Sequence, residues 1–228
     1  MYMHLFFIAI LSFSTLSAEP AFLQPCDPLL QARATEVAVS DITSHEVQEI
    51  IDRMFAIATN ERNDLKTGAM VGLAAPQIGV SKRIILVDVG FDCEKKAIGE
   101  LKAYINPCII WTSSELQREM EGCYSVDKRV IGHVTRPKQI KVVAYDRAAN
   151  LIEVEYSGVA ATIFQHEIDH LEGIRFPDRI DNQADLHWVT DEALAKYRLQ
   201  WKNWDIPCPF AVWEAMKNGH SFTEPFSG

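Results

Sequence analysis

Five cysteines in 228 residues, none in a Cys-x-x-Cys pair, exclude a zinc ribbon and a thioredoxin-type redox pair. They are also too sparse for a disulfide scaffold. Cys26, Cys93, Cys108 and Cys208 read as free thiols, and Cys123 stands apart for reasons given below. Basic charge is short too: 22 Lys and Arg face 31 Asp and Glu, for a net charge of -9. No run of Lys and Arg occurs, so there is no direct nucleic-acid footprint. His133, Arg136, Lys138 and Lys141 are scattered and read as a solvated surface. Internal repeats and low-complexity tracts are absent. No apolar run approaches the roughly 20 residues that cross a bilayer, which excludes a stable membrane span.

The N-terminus holds the longest apolar stretch, residues 5 to 13, followed by small residues up to Ala18. It resembles the core of a signal peptide with an exit near Ala18, although His4 is its only basic-type residue before the core. Residues 1–20 are therefore expected to be a signal-like or disordered segment. A misplaced start codon or a packed extension are the blander alternatives. The remaining length suits one domain with an extension.

Pro25-Cys-Asp-Pro-Leu-Leu30 carries two prolines, which oppose a helix and predict an extended or turning opening. A helix is expected from near Thr43, where Thr43 and Glu46 have capping-box spacing. Val47, Ile50, Ile51, Met54, Phe55 and Ala58 then recur on one helical face. Residues 60–68 read as a loop. Strands are expected over 83–89 and over 101–111, the latter broken at Pro107. A hairpin is expected over 139–145 and 151–156, and a helix over 158–172. Strands and helices are segregated, which predicts an α+β fold with antiparallel sheets. A further helix is expected over 191–200, with Trp201, Trp204 and Trp213 packing the tail onto the domain.

The densest chemistry is Gln165-His166-Glu167-Ile168-Asp169-His170. On a helix, His166 and His170 share a face one turn apart and can grip one metal ion, with Glu167 beside them as a general base. The third ligand decides the class. A metzincin would place His at position 176, where Phe176 stands. A thermolysin-like zinc peptidase would use a downstream Glu, for which Glu192 is available. The third option is Cys123 in Glu121-Gly122-Cys123-Tyr124-Ser125, a thiolate completing a soft tetrahedral-type site. A separate stretch, Gly72-Leu-Ala-Ala-Pro-Gln77-Ile-Gly79, is small enough to let backbone approach something closely, and Gln77 brings an amide donor. Alone, it reads as a tight loop before a strand.

Taken in order, the three stretches resemble the peptide deformylase family, whose pattern is Gly-x-Gly-Leu-Ala-Ala-x-Gln, then Glu-Gly-Cys-Leu-Ser, then Gln-His-Glu-x-Asp-His. The resemblance runs from about Phe22 to Arg179. It implies a deformylase domain over 21–180, with antiparallel sheets around a central metal-binding helix and an extension over 181–228 packed on it. It further implies hydrolysis of the formyl group of N-formylmethionyl peptides or nascent chains, by a monomer holding Fe²⁺ on Cys123, His166 and His170. The donor set admits Zn²⁺, Ni²⁺ or Co²⁺ equally. Glu167 would move the proton. Gln77 and the backbone N–H of Tyr124 would stabilise the oxyanion, and Gly122 would let the substrate backbone pass. Glu121 should pair with a basic residue beyond the second motif, best matched by Arg136. A role at the ribosome implies cytoplasm or an organelle matrix, whereas residues 1–18 argue for export.

Four departures from the pattern surround the substrate cleft. Met70 replaces the first Gly, Tyr124 replaces Leu, Asp127 stands where Pro is frequent, and the loop over 127–134 is one residue longer. They keep a non-catalytic peptide-binding relative in view. For the methionine side chain, Val159, Thr162 and Ile163 share the helical face of His166, and Val71 beside Gly72 can close the opposite wall. The blander alternative is that these residues only pack the core.

Overall fold

The computed structural model describes residues 22–63, 70–91 and 99–226. The signal-like segment, Cys93 and most of the loop expected over 60–68 lie outside these residues. Helix α1 spans His45–Asn63, starting after Ser44, whose Oγ accepts from the Val47 N–H at 3.3 Å. Ser44 therefore caps the helix in place of Thr43, and the helix runs past the expected loop boundary at residue 60. Val47, Ile51, Met54 and Ala58 are buried as the periodicity predicts, while Ile50 and Phe55 are half-buried.

Two antiparallel sheets follow. Strands β1 (Gly72–Ala74), β2 (Ile84–Asp88), β3 (Leu101–Thr112), β6 (Gln139–Tyr145) and β7 (Leu151–Ser157) form one sheet in the order β1-β2-β3-β6-β7. Strands β4 (Leu116–Gly122), β5 (Val130–Pro137) and β8 (Leu186–Trp188) form the other. Strand β2 is buried throughout because helices cover both faces of its sheet. Ile84 and Leu86 join the cluster under α1, whereas Ile85 and Val87 join the cluster under helix α2 (Gly158–Leu171). That alternation is the two-residue period of a strand, with each face met by a different helix.

The structure corrects several expectations. Pro107 does not break β3: Asn106 takes φ 50° and the register shifts between Ile105 and Cys108, so the strand bulges and continues. The stretch over 72–74, expected as loop, is a strand at the sheet edge, and β5 begins at Val130 inside the expected 127–134 loop. His133 and Arg136 are buried on β5 rather than solvated, because β5 is the middle strand of its sheet.

Helix α2 lies between the sheets, against β1 and β2 on one side and β4 and β5 on the other. The tail holds α3 (Leu194–Gln200), shorter than expected, and α4 (Phe210–Asn218). Trp188, Trp213 and Met216 pack with Val130, Val134 and Phe176 in a third apolar cluster. Burying such side chains contributes roughly 1.5–3 kcal/mol each. Among the described residues, no helix is long and apolar enough to cross a membrane.

Candidate active site

Helix α2 sets His166 and His170 one turn apart, with ring centroids 5.1 Å from each other. Cys123 follows the last residue of β4, and its Sγ lies 3.2 Å from His170 Nε2. One donor atom from each of Cys123, His166 and His170 falls within 4.8 Å of the others, so the three form a metal-binding group. Burial, together with the charges of His166, Arg175 and Arg136, holds His170 far below its ordinary range. The neutral imidazole is the form that donates to a cation. His166 differs. Burial pulls it down, but hydrogen bonds to Cys123 and Glu121 outweigh this and raise it. The proton it holds there neutralises the donors that a cation would neutralise. The side chains present thus fit a soft, S/N-ligated divalent ion.

Glu121 orients His166. Its Oε2 meets His166 Nδ1 at 2.8 Å, which leaves Nε2 as the donor on the Cys123 side. The register of β4 on β5 pairs Glu121 with Gly132 and Gln117 with Arg136. Arg136 therefore reaches along the strand pair and binds Glu121 through Nε at 2.6 Å and Nη2 at 3.0 Å, the expected ion pair. Its Nη1 bonds Asp169 at 2.8 Å, and Arg179 Nε reaches the same carboxylate at 3.1 Å. Neither Asp169 as a partner of Arg136 nor Arg179 as a partner of Asp169 is marked out by motif or spacing. The signal available was the acid one residue before His170, since a helix between two sheets must satisfy any buried carboxylate.

Glu167 is 4% exposed, and among the described residues its Oε2 has no hydrogen-bond partner. Burial, modified by the charges of His166, Glu121, Arg136 and Asp169, pushes its carboxyl up to about 7. Gly72 explains how it fits: a Cβ there would stand 2.3 Å from Glu167 Oε1. The close approach expected of the 72–79 stretch is to this carboxylate. Gln77 sits on a 3₁₀ turn, Ala75–Ile78. Its Oε1 accepts from the Ala74 N–H at 2.7 Å, which turns Nε2 towards Cys123 Sγ at 3.5 Å. Tyr124 follows Cys123 in the same loop, and its ring stacks on Phe22 at 4.8 Å, so a larger residue than Leu is accommodated by packing.

These groups open onto a cavity of about 940 Å³. Val71, Gly72, Gly122, Val159, Thr162 and Ile163 all line it. Met70 is buried under α1 at the cavity margin. Glu192 does not join the metal group: it is exposed on the tail, and Cys123 takes the third place. The thermolysin-like alternative fails on that geometry.

A family model described as polypeptide deformylase matches residues 21–185. The peptide deformylase of Natranaerobius thermophilus is 39% identical over 155 residues, 68% of this chain and 88% of that protein. That of Carboxydothermus hydrogenoformans is 43% identical over 136 residues, 60% of this chain and 83% of that protein. Among solved structures, a class I type b peptide deformylase from Acinetobacter baumannii with Met-Ala-Ser bound superposes with a TM-score of 0.64 at 31% identity, covering 72% of this chain and 100% of that one. Peptide deformylase from Thermotoga maritima gives 0.61 at 33% identity, covering 72% and 99%.

Proposed function

This chain belongs to the polypeptide deformylase family, the metal-dependent hydrolases that its Cys-His-His group fits, and from that premise we propose that it hydrolyses the formyl group from N-formylmethionyl peptides of newly made proteins. The products are formate and a free N-terminal methionine. Cys123, His166 and His170 hold the ion, Fe²⁺ by family resemblance and Zn²⁺, Ni²⁺ or Co²⁺ by donor chemistry. When bound, the ion supplies Lewis acidity that activates water and polarises the formyl oxygen.

The remaining work falls to side chains of this chain. Glu167 Oε2 takes the proton of the attacking water and returns it to the leaving nitrogen. A carboxyl raised to about 7 suits both directions of transfer. Gln77 Nε2 and the Tyr124 backbone N–H face the developing oxyanion, and one such preorganised donor is worth about 2.7–4 kcal/mol. Val71, Val159, Thr162 and Ile163 receive the methionine side chain, where a charged one would lose hydration without a partner. Gly72 and Gly122 let the peptide backbone lie close. Among the described residues, strands β1 and β4 are both sheet edges, so each presents an outer backbone edge to an extended peptide. Formylated chains arise at ribosomes, which supports the cytoplasm or an organelle matrix.

The observation that carries this reading is the unpartnered, buried Glu167 Oε2 beside the Cys-His-His group. Anaerobic purification, metal analysis and turnover of formyl-Met-Ala-Ser on one sample test it. Glu167→Gln should keep the metal and lose turnover, because an amide cannot accept the proton. Retention of most activity in that variant would remove Glu167 from the role. Metal binding by the parent without turnover would favour the non-catalytic peptide binder.

A further inference from the structure

The cavity at the metal group does not end with the family's domain. It continues around β4 to Leu194, Arg198, Trp201 and Lys202, all beyond residue 185, where the family match stops. Trp201 is the hub of this far end. Its ring lies on the buried imidazole of His133 at 3.7 Å and 17°. The Arg118 guanidinium sits over the same ring at 5.0 Å, and the Lys202 ammonium at 5.7 Å. His133 belongs to β5 and Arg118 to β4, so the contact fastens the tail to the sheet that carries Cys123. Alternation along β4 sends Gln117, Glu119 and Glu121 towards α2, and Arg118 and Met120 towards the tail.

The charges at this end are unevenly matched. Arg118 is paired with Asp185. Among the described residues, Arg198 and Lys202 have no carboxylate within ion-pair distance, and both are exposed. Two cations without a carboxylate partner line, with Trp201, a cavity shared with the metal group. The whole chain carries -9, so its overall field repels acidic peptides. A preference for them can arise only from such a local cluster.

We propose that the tail builds a distal carboxylate-binding subsite of the deformylase cleft, in which Arg198 and Lys202, lining the same cavity as Trp201, receive a carboxylate of the formyl peptide downstream of its methionine. This rests on the deformylase reading above. The reach follows from the strand. Arg118 precedes Cys123 by five residues, roughly 16 Å at about 3.3 Å per residue, and an extended peptide covers that in about five residues. The long basic side chains shorten it, which puts the carboxylate at about the third to fifth residue after methionine. An acidic side chain and a free chain terminus supply the same group.

Four formyl-Met pentapeptides decide it: a neutral C-terminal amide, the same amide with Glu at the fourth position, the neutral sequence with a free carboxylate, and the amide with Lys at the fourth position. In the parent enzyme, kcat/KM for at least one carboxylate peptide should exceed the neutral amide about fivefold, with the Lys peptide lowest. Which carboxylate peptide gains identifies the source. In Arg198→Glu/Lys202→Glu, the ratio between acidic and neutral peptides should fall to one or below. Because the readout is a ratio within each protein, partial loss of fold does not mimic it. In the parent, the ratio should also shrink towards one as salt rises to about 0.5 M. Turnover with no carboxylate preference, or a preference that survives the double variant, overturns the inference alone. Absence of turnover on every peptide overturns the deformylase reading and this inference together.

Discussion

Replacing Glu121 by Gln isolates what one buried carboxylate does for both stability and the metal. Glu121 is 6% exposed and holds Arg136 through two hydrogen bonds and His166 through one. Burial opposes its ionisation, but the hydrogen bonds from His166 and Arg136 outweigh that and lower it from 4.5 to about 2. At about 1.36 kcal/mol per tenfold in proton affinity, this corresponds to roughly 3 kcal/mol of stability at neutral pH. The folded state binds this proton less readily than the unfolded chain. The contribution is therefore complete above about pH 4.5 and is lost as pH falls towards 2. Glu121→Gln removes the charge, leaves Arg136 with Asp169 alone, and should cost about 3 kcal/mol at pH 7, in line with breaking a buried ion pair. Urea unfolding of both proteins from about pH 7 down to about pH 2.5 should show the curves converging in acid. His166 also loses its charged partner, so metal affinity, measured by chelator competition, should fall about 10–100-fold. A variant within about 0.5 kcal/mol of the parent at pH 7, with unchanged metal affinity, would contradict this account.

Other outcomes follow from the same contacts. Gly72→Ala drives a Cβ into Glu167, so turnover should fall about 100-fold with metal content retained, as single-turnover kinetics and metal analysis would show; near-parental turnover would mean that Glu167 moves aside at no cost. Ile163→Trp should raise KM for formyl-Met peptides by about tenfold with unchanged metal, and parental KM would place the methionine pocket elsewhere. His133 is lowered to about 4 by burial first and then by the charges of Arg118 and His187. The unfolded chain therefore takes up this proton near pH 6.5 and the folded protein only near 4, so up to about 3 kcal/mol of stability is lost on acidification across that window. His133→Phe should flatten thermal stability against pH there, and an unchanged slope would exclude His133 as its source.

Several features are legible in the amino-acid pattern alone. The helix carrying His166 and His170, the α1 core face and the β6–β7 hairpin each follow from a period that local chemistry imposes, and each is found where expected. The edge strand β1 is not legible in that way, because the three residues Gly72, Leu73 and Ala74 are too few to show alternation and pair only once β2 is beside them. Nor is the continuity of β3 through Pro107, since a bulge depends on the partner strand that absorbs it. Arg136 resembles a surface cation because a chain of residues reports charge and not which strand is central.

Residue type and short-range spacing are enough to specify donors, so the chemistry was written into the chain directly: two imidazoles on one helical face, a carboxylate beside them, and a thiol in a second motif. Their assembly was settled in three dimensions. Packing chose Cys123 over Glu192 as the third ligand and buried Glu167 against Gly72. Strand register set Arg136 opposite Gln117, from where its side chain reaches Glu121, and the fold of the tail carried Trp201, Arg198 and Lys202 to the end of the same cavity. Each of those choices joins residues far apart in the chain, and only two sheets closing around one helix bring them within reach.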